Sequence, residues 1–236
     1  MTRQMLLDLG HRAALGREDF LVAPSNRDAV AWIDLWPNWP APGLVIYGPE
    51  ACGKTHLAEV WRARSKARRL TASDVVGRDA PAIAGGALTL VIEHADRCRD
   101  ERALLHLFNY VAGQGGGLLL TAHTPPAQWR TALADLRSRL TALPAVAVGA
   151  PDDALIEAVM VKQFADRQIR VSPEVIAYLV PRLERSLATV RAVVAALDTA
   201  ALAERRAVTV PLARQVLERV TAEKQRDAAP NEDANR

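Results

Sequence analysis

Cysteine, aromatic residues and long apolar runs are scarce in this sequence, and each shortage closes off a class of protein. The two cysteines, Cys52 and Cys98, stand in unrelated contexts, with no CxxC pair and no secretory leader. A disulfide-stapled secreted scaffold is therefore excluded, and a reduced chain in the cytoplasm is expected. The five histidines show no HxxxH spacing, which argues against a structural zinc site. No apolar stretch approaches the roughly 20 residues that cross a bilayer, so no membrane partner is expected. Charge of one sign is also thin: the net charge is +3, and no long block of like charge stands out. The densest basic run, RARSKARR at 62–69, reads as a solvated helix end and not as a stripe that tracks a phosphate backbone. No aromatic is interleaved with basic residues as in a single-strand-binding platform. Trp32, Trp36, Trp39 and Trp61 read as packing and loop anchors.

What is plentiful is apolar side chain, half of the 236 residues. That is enough for one large domain or two small ones. Apolar runs of strand length alternate with helical spacing through the first two thirds: GLVIY (43–47), ALTLVIEH (87–94), GGLLLTAH (116–123) and AVAVG (145–149), separated by helical patterns at 54–66, 102–113 and 133–140. Strands that are apolar throughout, flanked by helices, predict an α/β fold with a parallel sheet covered on both faces. After Pro151 the pattern becomes all-helical, at 152–168, 172–184, 186–206 and 210–224, with Asp152, Ser172 and Ser186 as expected caps. The expected division is a leader at 1–15, an α/β unit at 16–150, a helical lid at 151–224 and a polar, disordered tail at 225–236.

GPEACGKTH, Gly48 to His56, follows a strand and opens a helix, and fits G-x-x-x-x-G-K-[ST]. Gly48 and Gly53 let the backbone bend around phosphate oxygens, and Pro49, Ala51, Cys52 and His56 complete the loop and first turn. Successive N–H groups and the positive end of the helix then face the anion. Lys54 brings charge to the terminal phosphates, and Thr55 offers a hydroxyl to Mg2+. The strand LVIEH ends in Glu93, the second expected metal-side residue. His94 follows where nucleotide-splitting proteins carry a second acid. Imidazole is a poor substitute for that carboxylate, so efficient hydrolysis by this site alone is not expected.

A sheet domain with this loop, followed by a helical lid, resembles the AAA+ proteins, and the particular words resemble the DnaA family. SNRDAVAWID (25–34) resembles the segment ahead of its phosphate loop, where adenine is held. LVIYGPEACGKTHLAEVW (44–61) resembles its Walker A, LLLTAHTPP (118–126) its sensor 1 strand and turn, LADLRSRL (133–140) its finger helix, and SLATVRAVVAALD (186–198) its sensor 2 helix. The match runs from about residue 16 to about residue 222, and it implies a AAA+ fold binding ADP or ATP with Mg2+. Leu21 and Val22 would meet the adenine; Asn26 either caps the next helix or touches the base. Arg191 would be sensor 2. Arg139 would be an arginine finger acting on a neighbour's triphosphate, with Arg137 the nearby alternative and an Asp135 ion pair the plain surface role. His123 departs from the acid that the family carries at sensor 1; contact through water from Thr121 or His123 to the terminal phosphate is the weaker expectation.

The family's initiator continues into a helix-turn-helix domain, whereas this chain stops soon after the fourth lid helix, so sequence-specific DNA binding is not expected. The leader QMLLDLG (4–10) presents Leu6, Leu7 and Leu9 as apolar anchors for a pocket, or as a first helical turn packed on its own domain. It resembles the Q-x-x-L-x-L peptides that dock on the DNA polymerase III sliding clamp, with Gln4, Leu7 and Leu9 as anchors. The combination resembles regulators within the family that act on DnaA after initiation, with DnaA and the clamp as partners and a homo-oligomer allowed. A self-sufficient AAA+ ATPase or loader is the alternative, as is a module that only binds.

Overall fold

The computed structural model describes residues 21–77, 79–204 and 206–228, the last six by backbone alone. Two compact units divide at Ala150/Pro151. In chain order the first contains α1 (Arg27–Leu35), β1 (Gly43–Tyr47), α2 (Lys54–Ser65), β2 (Arg68–Thr71), α3 (Ala80–Ala84), β3 (Thr89–Glu93), α4 (Glu101–Gly113), β4 (Gly117–Ala122), α5 (Ala134–Thr141) and β5 (Ala145–Ala147). The sheet is parallel throughout, in the order β2-β3-β4-β1-β5. Side chains alternate across it as strand geometry requires. Val45, Leu90, Ile92, Leu118 and Leu120 join α3, α4 and α5 in one core. Leu44, Ile46, Val91, Leu119 and Val146 join α1 and α2 in the other. Both faces are thus covered, which is why the central strands carry no polar face.

The register also fixes where chemistry can occur. In open parallel sheets, ligands bind beyond the carboxyl ends of the strands. Here β1, β4 and β3 are neighbours, so the turns after Tyr47, Ala122 and Glu93 emerge side by side.

Two sequence expectations need correction. The basic run 62–69 is not simply a helix end. Lys66 takes a left-handed conformation (φ 55°) that closes α2, and Arg68 and Arg69 then open the edge strand β2. Edge strands tolerate charged residues that a central strand would not. The polar tail begins later than 225, because the last helix runs to Ala228. Neither Gly nor Pro interrupts TAEKQRDA, so nothing local stops the helix there.

The second unit holds α6 (Asp153–Asp166), α7 (Pro173–Leu179), α8 (Leu187–Glu204) and α9 (Val210–Ala228), around Ile156, Met160, Phe164, Leu179, Val190, Val193, Val194 and Leu212. One isolated parallel bridge, Val171 with Val208, ties two of its loops. Asp152 caps α6 through Leu155 N at 2.8 Å, and Ser186 caps α8 through Thr189 N at 3.3 Å. Ser172 occupies the N-cap position of α7, but its side chain makes no cap hydrogen bond. Its hydroxyl instead serves Glu174, whose carboxyl it holds below the ordinary value. No described helix is long and apolar enough to cross a membrane.

The tryptophans do pack. Trp61 is fully buried, stacked on Trp39 at 5.3 Å and edge-on to Trp36 at 5.2 Å, and Trp39 Nε1 donates to Trp32 O at 2.7 Å. Trp61 Nε1 has no hydrogen-bond partner. Trp61→Ala should cost about 3–5 kcal/mol, as large buried aromatics do. Trp61→Phe should cost clearly less, because it also removes an unpaired buried N–H. Urea unfolding followed by far-UV circular dichroism measures both.

Candidate nucleotide site

β1 runs directly into the loop 48–53, and α2 starts at Lys54. At Gly48 (φ +154°) a Cβ would stand 2.1 Å from Val148 O, so only glycine lets the loop pass that chain. Gly53 (φ 112°) caps α2 in a left-handed turn, and Ala51 (φ 54°) shares that conformation. Together they fold the loop back over the helix N-terminus, the arrangement that turns successive amides toward an anion. Lys54 is only 7% exposed. Its Nζ donates to Gly48 O at 2.8 Å and Pro49 O at 2.6 Å, and lies 3.8 Å from Cys52 Sγ. Cys52 is buried beneath the loop, and burial pushes its thiol up, so it packs there as an uncharged group. Pro49, Thr55 and His56 are exposed. The eight phosphate-side residues read from the motif are therefore contiguous around one bend.

Glu93, at the end of β3, is 3% exposed. Thr55 Oγ1 donates to its Oε2 at 3.0 Å. Arg69 Nε stands 2.7 Å from its Oε1, close enough for an ion pair but off the hydrogen-bond line, so that oxygen remains without a proper donor. Arg69 also reaches Glu59 Oε1 on α2 at 3.7 Å. The hydroxyl and carboxylate expected on the metal side do meet. Thr55 and Glu93 fit a hard, oxygen-preferring cation such as Mg2+, which when bound would neutralise phosphate charge. Among the described residues, no three or more His, Cys, Asp or Glu side chains converge as a metal site.

The histidines are engaged with their own chain. His94 adopts a left-handed conformation (φ 55°) at the strand end. Its backbone N–H donates to Thr121 Oγ1 at 3.2 Å, and its Nδ1 is buried without a partner. Thr121 is itself buried, and its hydroxyl keeps its own hydrogen after accepting this contact. The His94 ring stacks on His123, 5.7 Å apart and 21° from parallel. His123 is held from both sides. Asp96 Oδ2 accepts from its backbone N–H at 2.9 Å and lies 3.1 Å from Nδ1. Glu50 Oε1, from the phosphate loop, lies 3.2 Å from Nε2. Arg97 Nη2 reaches the same Glu50 oxygen at 3.2 Å. Glu50, Arg69, Asp96 and Arg97 escaped sequence reading. They come from three separate segments, and no motif spacing joins them.

Val22 is exposed, and Leu21 O accepts from Asn26 Nδ2 at 3.0 Å. The Asn26 amide neither caps α1 nor faces outward: it is buried and staples its own segment, accepting also from Ala23 N at 2.9 Å. Arg139 is exposed in the last turn of α5, with its guanidinium 5.9 Å from the Phe108 ring centroid. Arg137 is exposed too. Arg191 is exposed on α8, whose opposite side buries Val190, Val193 and Val194. Gln4, Leu7 and Leu9 lie outside the described residues.

Comparison with known proteins agrees with this architecture. Residues 152–217 match the family model of the Hda lid domain. An uncharacterized protein of Haemophilus influenzae is 27% identical over 190 residues, 75% of this chain and 81% of that one. Domain III of the Thermotoga maritima replication initiation protein DnaA superposes with a TM-score of 0.70 at 18% identity, covering 84% of this chain and 93% of that one. AMPPCP-bound DnaA from Aquifex aeolicus superposes at 0.66, also at 18% identity, covering 88% and 68%. Over residues 152–217 the sequence is thus similar to the Hda lid domain, and the fold of the chain is that of DnaA domain III.

Proposed function

We propose that this chain is a nucleotide-bound regulator of replication initiation, which docks on the sliding clamp and stimulates ATP hydrolysis in DnaA through Arg139. The observation that carries the reading is an asymmetry within the first unit. The phosphate loop is complete, with Lys54 turned into it, whereas His94 stands at the position that would activate water and His123 at the sensor 1 position, stacked on each other and with His123 held by Asp96 and Glu50. Such a site is suited to holding a nucleotide, with ADP the first choice, more than to splitting one.

The bound phosphates would lie on the amides of 48–53, with Lys54 supplying charge and Thr55 and Glu93 flanking Mg2+. Leu21 and Val22 would meet the adenine, and Arg191 on the lid would read the phosphates. Arg139 is exposed, and no ion pair with Asp135 holds it among the described residues. It is free to enter a neighbouring molecule's site, where a guanidinium stabilises charge that develops only in the transition state. Gln4, Leu7 and Leu9 would bring the chain to the clamp on DNA, so that DnaA is converted to its ADP form once replication has begun.

Arg139→Ala should abolish most of the stimulation of DnaA-bound ATP hydrolysis, since such fingers supply about 10³–10⁵ in rate. Stimulation equal to the parent's would remove Arg139 from this role. Lys54→Ala should weaken binding of a fluorescent ADP analogue by at least about tenfold, given the strength of charge-assisted contacts to phosphate. Gln4→Ala combined with Leu7→Ala should abolish co-sedimentation with DNA-loaded clamp and leave ADP binding intact. Brisk turnover of ATP by the isolated chain would favour the self-sufficient ATPase.

A further inference from the structure

We propose that Glu50 is the residue that makes this site prefer a nucleoside diphosphate to a triphosphate, because its carboxylate occupies the place and the counter-charges that a third phosphate would take. The inference rests on the nucleotide-site reading and deepens it. It begins with position. The loop amides cradle the inner phosphates and the motif lysine reaches toward the outer ones. The outer end of the chain of phosphates therefore points toward the Thr55–Glu93 pair and the neighbouring strand ends. Glu50 lies on the loop two residues after Gly48. Its side chain does not turn to bulk water alone. It crosses to the turns after β3 and β4, where Oε1 meets Arg97 Nη2 and His123 Nε2, both at 3.2 Å.

Arg97 donates to this carboxylate, and His123 Nε2, which also lies 3.4 Å from Arg97 Nη2, adds a second donor when it carries its hydrogen; the anion subsite they form is already filled by a carboxylate of the same chain. The subsite is built: Asp96 fixes the His123 ring through Nδ1 at 3.1 Å and through its backbone N–H at 2.9 Å. A ring with hydrogens on both nitrogens satisfies Asp96 and Glu50 together; a neutral ring leaves one contact without its hydrogen. His123 and Arg97 both hold the Glu50 carboxyl below its usual range, so Glu50 is an anion at neutral pH.

For a diphosphate, Glu50 is harmless: it keeps two cationic or donor groups satisfied beside the occupied cradle. For a triphosphate it is an obstacle. The third phosphate either sits against a carboxylate, with like charges opposed, or displaces Glu50 from Arg97 and His123. The Glu50 side chain is 74% exposed, and solvent screens an ion pair so placed. Displacement is therefore cheap, and the triphosphate is disfavoured without being shut out.

The test is titration of mant-ADP and mant-ATP, each with Mg2+, against the parent chain, Glu50→Gln, Arg97→Ala and the double variant, followed by fluorescence anisotropy. Glu50→Gln should tighten mant-ATP by about three- to fivefold, as removal of a solvent-screened like charge implies, and should alter mant-ADP less than about 1.5-fold on the same scale. Adding Arg97→Ala should remove most of that gain, because the freed subsite then lacks its guanidinium. An unchanged ATP-to-ADP affinity ratio in Glu50→Gln, or an equal shift for both nucleotides, overturns the inference while leaving the nucleotide site intact. Failure of the parent chain to bind either nucleotide overturns both.

Discussion

A carboxylate buried at the end of a central strand has to be paired, and the pairing of Glu93 organises the first unit. Thr55 brings the first turn of α2 to one oxygen, and Arg69 brings the edge strand to the other. Three segments distant in sequence are thereby held at one point: the phosphate loop, the end of β3 and β2. Leaving one partner of a buried charge unpaired is far more costly than the net worth of the contact itself. Arg69 is half exposed, so solvent screens its share, and the Thr55 contact carries the closer positional constraint. The loop is stiffened independently by Lys54, whose amine spans Gly48 and Pro49 from within the helix that follows.

Much of this architecture could be read before any coordinates. Central strands buried on both faces have to be apolar throughout, so β1, β3 and β4 announced themselves, and the helical unit after Pro151 followed from its caps and spacing. The edge strand did not. RRLT alternates charge with a single buried leucine, and without its neighbour β3 it looks like the end of the preceding helix. Ser172 failed as a cap for a related reason. A hydroxyl has several partners within reach, and that of Ser172 lies close enough to Glu174 to hold its carboxyl below the ordinary value.

The site was legible where it is local and obscure where it is not. Gly48 to Thr55 is a contiguous segment whose spacing reports its geometry, and Glu93 is marked by the strand that it ends. Glu50 looked like one of the variable positions of a loop motif, and Asp96 and Arg97 like a polar turn. Their meaning appears only when parallel pairing sets the exits of β1, β4 and β3 side by side. A network assembled across the tops of strands leaves no periodicity in the chain, because its members are related by sheet order and not by sequence separation.

Under the proposed function, that network also bears on how a nucleotide site can be kept while its chemistry lapses. Holding phosphate depends on backbone amides and one lysine, and those requirements are met by loop conformation. Activating water depends on a particular basic side chain aimed at open space. In this chain the side chain at that position is the His94 imidazole, stacked against His123, which itself lies between Asp96 and Glu50. Arg139 shows the opposite arrangement. Its contact with the Phe108 face is worth only about 0.5–1 kcal/mol at an exposed site, whereas a finger that gives about 10³ in rate stabilises a transition state by about 4 kcal/mol. The intramolecular contact can therefore orient the guanidinium without competing with its use elsewhere. Under the proposed function, the position that would activate water for this chain's own nucleotide lacks its acid, and the group that would assist another molecule's cleavage is the one left available.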